Sequence, residues 1–115
     1  SHTITADELL EKGGGNQGLN PGELLAASLA SCSLITVQMY ARRKGWNLTQ
    51  ATVAITYEHD MKENMASMTK RLRFTGDLNA EQRQRLAHIA SVCPIHRVLE
   101  KSVTIESFVE ENPQS

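Results

Sequence analysis

Cys32 and Cys93 are the residues of this 115-residue chain whose chemistry reaches furthest beyond packing. A free cysteine usually serves as a small apolar side chain, and Cys32, in an uncharged stretch, fits that use. Cys93 differs because Pro94 follows it. A Cys-Pro step at a helix start leaves backbone N–H groups free to stabilise a thiolate, and His96 and Arg97 lie within one turn. Two thiols are open to three uses: buried structural residues, a metal pair or a redox couple. A zinc set would join Cys93 and His96, in C-x-x-H spacing, to Cys32 and His88, but the chain has no second close pair. About sixty residues separate the cysteines, so only the fold can bring them together.

The element that must position Cys32 is Asn20 to Lys44, NPGELLAASLASCSLITVQMYARRK. Asn20 suits a helix cap, Pro21 the first helical position, and Glu23 the third residue of a capping box. Arg42, Arg43 and Lys44 put positive charge on the last turn, and Gly45 suits the left-handed residue that ends a helix. From Leu24 to Ala41 there is no charge and no polar stripe, which predicts a helix buried all round. At ~1.5 Å per residue it is roughly 36 Å long, more than one compact domain of this size encloses. A homodimer is therefore expected. A membrane span is the competing reading, opposed by Ser28, Ser31, Ser33, Thr36 and Gln38 within the run and by the strand patterns that follow.

Around that helix the chain reads in order. Ser1 to Asp7 predicts a short strand, and Lys12 to Pro21 a flexible glycine-rich loop whose spacing matches no phosphate-binding fingerprint. Thr52 to Asp60 alternates, with Val53, Ile55, Tyr57 and His59 on one face. Lys62 to Thr69 reads as a connection. Lys70 to Gly76 alternates Leu72 and Phe74 against Arg71 and Arg73, so the two strands pair as a hairpin over the long helix. Asn79 and Gln82 form a second capping box, Leu86, Ile89 and Ala90 make an apolar stripe, and Arg83 and Arg85 a solvated face. Pro94 starts a last helix, Ser102 to Val109 predicts a final strand, and a polar tail with Pro113 follows. His59 and His88 read as exposed or half-buried side chains. Helices and strands are segregated, so the fold class is α+β, in a single domain spanning residues 1–115.

Composition limits the partners. A net charge of -1 argues against nucleic acid or a membrane surface. Two cysteines are too few for a secreted disulfide framework, and no signal or transit sequence opens the chain, so a reducing, cytoplasmic setting is expected.

The runs NPGELLAASLASCSLITVQMYARRKGW and GDLNAEQRQRLAHIASVCPIHRVLEKSV, with alternating strands between them, resemble the OsmC/Ohr family of osmotically inducible and organic hydroperoxide resistance proteins. The resemblance spans about residues 3 to 109. It implies an intertwined homodimer whose long central helices are wrapped by curved antiparallel sheets. It also implies thiol-dependent reduction of organic hydroperoxides, and of hydrogen peroxide as a further substrate, with no metal or organic cofactor. Cys32 would then be the peroxidatic residue, Cys93 would resolve its sulfenic acid, and an external dithiol would reduce the disulfide.

Two departures stand out. In the peroxidase branch a glutamate follows Asn-Pro and works with an arginine from the opening strands; here that position is Gly22. Residues 1–20 hold no arginine, and the family's opening strands are mostly absent. Glu23 is the adjacent candidate, turned by about 100°, and Arg71, Arg73 and Arg97 are the candidate arginines. The pattern is closer to a broader OsmC-like branch, and a noncatalytic binding or redox-sensing dimer is the alternative.

Overall fold

The computed structural model describes residues 2–101, 103 and 105–110. The long helix forms as its sequence dictates. α1 runs Pro21–Lys44, with both hydrogen bonds of the Asn20–Glu23 capping box in place and Gly45 left-handed at φ 71°. By length and composition alone α1 could cross a membrane. One stripe of it, Ala26, Leu29, Ser33, Val37 and Ala41, is buried at the three- and four-residue spacing of a single helix face.

β1 (Asn47–Asp60) and β2 (Met65–Asp77) form an antiparallel hairpin in which Ile55 lies opposite Lys70 and Val53 opposite Leu72. β2 starts earlier than the sequence suggested, within the stretch read as a connection. β1 lays its half-buried side chains against α1, as expected. α2 (Ala80–Ser91) and α3 (Pro94–Lys101) also pack against α1. The core joins Val37 and Ala41 of α1 to Leu86 and Ala90 of α2, with Leu72 and Phe74 of β2 against them. The class is α+β.

A single chain leaves part of α1 open, as its length implied: Ile35 is 56% and Met39 60% exposed, because the hairpin, α2 and α3 together cover only part of its circumference. Three expectations need correction. The opening strand does not form; one isolated bridge, Ala6 to Leu19, stands there, and Ser1 lies outside the described residues. The described residues of Ser102–Val109 make no strand and are exposed, with no neighbouring strand to pair with; Ser102, Thr104 and the tail with Pro113 lie outside the described set. Arg83 and Arg85 are not simply solvated. Arg83 donates to the carbonyls of Phe74 and Gly76, tying α2 to the end of β2, and Arg85 donates to the Tyr40 hydroxyl.

In the glycine-rich loop, the Asp7 carboxylate accepts the N–H groups of Gly15 and Gln17. An internal anion thus takes the amides that a phosphate would use.

Candidate functional site

The two sulfurs meet at the start of α3. A helix leaves its first N–H groups without helical acceptors, and here sulfur takes two of them. Ile95 N–H donates to Cys32 Sγ at 3.5 Å, and the His96 N–H donates to the sulfur of Cys93. α1 supplies Cys32 half-exposed, whereas Cys93, just before Pro94, has 0% exposure. Both are free thiols, and Cys32 stands close enough to donate a hydrogen bond to Cys93.

A polar network backs the thiols. Ser33 falls in the buried stripe of α1, and its hydroxyl lies 3.5 Å from Cys93 Sγ. Lys70 reaches in from β2. Its Nζ donates to Ser33 Oγ at 2.8 Å and to the Ala90 carbonyl at 3.0 Å, and lies 2.8 Å from His96 Nδ1. An ammonium carries three protons, and three acceptors surround this one. When Nδ1 accepts, the His96 proton sits on Nε2, which faces Glu100 Oε2 at 3.4 Å. Glu100 is exposed, so the network runs from a buried thiol to solvent.

The electrostatics follow. Burial pushes the Cys93 thiol up, but hydrogen bonds from Ser33, the His96 N–H and Cys32, together with the charge of Lys70, outweigh it and hold the thiol below its ordinary range. Burial likewise lowers Lys70, against the opposing pull of Cys93, Cys32 and Glu100. The arrangement suits a Cys93 thiolate held beside the Cys32 thiol.

Of the residues singled out by sequence, Cys32 and Cys93 come together and Glu23 stands apart. Glu23 Oε1 accepts the Asn20 N–H at 2.9 Å, and nine residues of helix, about 13 Å of rise, separate it from Cys32. A Cβ at Gly22 would lie 2.7 Å from the Tyr57 ring, so that position is filled by an aromatic from β1. Arg71, Arg73 and Arg97 are exposed, the first two on the face of β2 opposite Lys70. The cation at the thiols is Lys70. It shares strand parity with Leu72 and Phe74, the apolar face, and that parity was the signal for an inward lysine. Ser33, four residues from both Leu29 and Val37, carried a similar signal. His88 lines a separate cleft with Tyr40 and Trp46, so it does not join Cys32, Cys93 and His96. Among the described residues no three His, Cys, Asp or Glu side chains converge as a metal site.

Comparison with known proteins bears on this arrangement. A family profile described as OsmC-like protein matches residues 13–108. No curated protein sequence matches. Among solved structures, a Psychrobacter arcticus protein described as an osmotic stress induced and detoxification response protein aligns with TM-score 0.73 and 24% identity, over 82% of this chain and 69% of that one. An OsmC-like protein from Mycoplasma pneumoniae aligns with TM-score 0.72 and 17% identity, over 85% and 72%. A Vibrio cholerae organic hydroperoxide resistance protein, with captopril in one of its active sites, aligns with TM-score 0.64 and 25% identity, over 83% and 67%.

Proposed function

Because the chain belongs to the OsmC-like family, we propose that it is a homodimeric thiol peroxidase that reduces organic hydroperoxides through Cys32 and Cys93. The observation that carries this reading is the meeting of an accessible sulfur and a buried, anion-stabilised sulfur at one helix N-terminus. The name of the Vibrio cholerae relative supports the substrate class. Peroxide reaches Cys32, which has exposed surface, and not Cys93, which has none. The reacting form of Cys32 is its thiolate. That thiolate attacks the O–O bond; the distal oxygen stays on sulfur as sulfenic acid, and the alkoxide leaves as alcohol with one proton. Cys93 thiolate then attacks the Cys32 sulfur, an S–S bond forms as the S–O bond breaks, and hydroxide leaves as water. An external dithiol returns both sulfurs to thiols by exchange, in a reducing cytoplasmic setting.

The second copy is argued from surface and shape. Leu25, Ser28, Cys32, Ile35 and Met39 form a stripe at helical spacing that the chain itself leaves uncovered or half-covered. The radius of gyration is 18.1 Å, against about 13 Å for a compact domain of this length. A partner helix along that stripe would cover the apolar face and leave an apolar pocket for the alkyl part of a hydroperoxide beside Cys32.

The test is stopped-flow reduction of cumene hydroperoxide and hydrogen peroxide with dihydrolipoamide as reductant. Cys32→Ser is expected to abolish turnover, and Cys93→Ser to stop after one turnover with a sulfenic acid that dimedone traps. Full turnover by Cys32→Ser would overturn the reading. The packing of Gly22 against Tyr57, where the peroxidase branch carries a glutamate, favours a second reading: a redox-sensing or binding dimer. Thiols that oxidise slowly and without turnover would select it.

A further inference from the structure

Lys70 is the half-buried cation that faces the thiols, and neither thiol chemistry nor packing alone accounts for it. It lies opposite Ile55 on the inward face of the hairpin, where its neighbours in parity are Met68 and Leu72. Even half-burying an ammonium is costly unless its protons are taken, and here three acceptors from three helices surround it. α1 contributes Ser33 Oγ, α2 the Ala90 carbonyl and α3 the His96 ring. Cys32 on α1 and Cys93 and Glu100 at α3 are the other titratable groups that face it.

Ser33 is the joint. Its hydroxyl accepts from Lys70 at 2.8 Å and lies 3.5 Å from Cys93 Sγ. A hydroxyl has one proton to give; with one of its lone pairs taken by Lys70, that proton is free to point at sulfur. We propose that Lys70 is a positioning residue that draws the proton of Cys93 through the Ser33 hydroxyl, and that His96 and Glu100 carry that proton to and from solvent. The S–H bond of Cys93 breaks as an O–H bond forms at Ser33. Lys70 starts as a neutral amine that donates only to the Ala90 carbonyl and His96; the former O–H proton of Ser33 forms its third N–H bond, which gives the ammonium with three acceptors. The result is a thiolate and an ammonium joined through a neutral hydroxyl. When the thiolate is consumed by attack on the Cys32 sulfenic acid, hydroxide departs and is neutralised to water by the proton that the relay then releases. Lys70 has then lost its anionic partner and gives its proton to His96 Nδ1, whose Nε2 proton leaves past Glu100. The last part rests on the peroxidase reading; the formation of the thiolate does not.

The decisive experiment therefore uses no peroxide. In a Cys32→Ser chain, the Cys93 thiolate is titrated by its absorbance near 240 nm, alone and with Lys70→Met or Ser33→Ala added. Methionine matches the apolar neighbours of Lys70, and Ser33→Ala removes only an oxygen, so one variant checks the other, with far-UV circular dichroism confirming the fold. Each change is expected to raise the Cys93 midpoint by about one unit or more, a tenfold loss of thiolate at neutral pH. Midpoints that stay within about 0.3 units in either folded variant would overturn the route through Ser33. For the path to solvent, His96→Gln in the native chain keeps an acceptor for Lys70 but cannot pass a proton on. It is expected to leave the thiolate midpoint in place and to slow disulfide closure after peroxide about tenfold. Closure at the native rate would remove His96 and Glu100 from the account, while failure of closure in the native chain itself would count against the peroxidase reading alone.

Discussion

At Cys93, charge and burial oppose each other, and the hydrogen bonds decide the balance. Because the folded state lowers this thiol, ionisation adds stability that is complete above the ordinary thiol range and fades as pH falls through the folded value. Lys70 acts in the same direction. Its charged form is disfavoured by burial, so the unfolded chain binds the proton more readily and stability rises as pH climbs toward the ordinary lysine range. The melting temperature of the reduced chain, measured from about pH 6 to about pH 9, is expected to rise relative to that of Cys93→Ser, and parallel curves would contradict the lowered thiol. Gly22 offers a second test at this scale. Gly22→Ala should gain up to ~1 kcal/mol of helix propensity yet lose about 1–3 kcal/mol to overpacking against Tyr57, a net destabilisation by chemical denaturation that Tyr57→Ala in the same chain relieves. The thiols were legible in sequence because Cys-Pro marks a helix start by itself. Lys70 and Ser33 were not read, although each sat in phase with a buried face, because a polar residue in phase reads as a boundary until its acceptors are known.

At the scale of elements, the boundaries of α1 and α2 followed from local chemistry. Asn20 with Glu23, and Asn79 with Gln82, each close both bonds of a capping box. These contacts span three residues, which is why sequence could show them. The strand expected at Ser102–Val109 depended on a pairing edge, and alternation in Val103 and Ile105 cannot supply one. Glu23 is where the two kinds of reading compete. If its carboxylate serves the cap, Glu23→Gln, which preserves the box, will keep peroxide reduction and hold stability within about 0.5 kcal/mol, while Glu23→Ala will cost up to about 1 kcal/mol. Loss of turnover in Glu23→Gln with stability intact would instead return the residue to the chemistry.

For the whole molecule, the face of α1 that bears Cys32 is the face the chain leaves open. An uncharged helix predicted burial on every side, and one chain buries one stripe; the difference is the area assigned to a second copy. If α1 pairs with a second copy as proposed, Met39→Glu or Ile35→Glu should give a monomer where the native chain gives a dimer by light scattering after size exclusion, with the hairpin and α2 contacts unaffected. Whether Cys32 and Cys93 act as one redox couple is decided by peptide mass mapping after one equivalent of cumene hydroperoxide. A Cys32–Cys93 disulfide within one chain is expected, absent in either serine variant. Oxidation that stays on one cysteine, or a disulfide linking two chains instead, would contradict it.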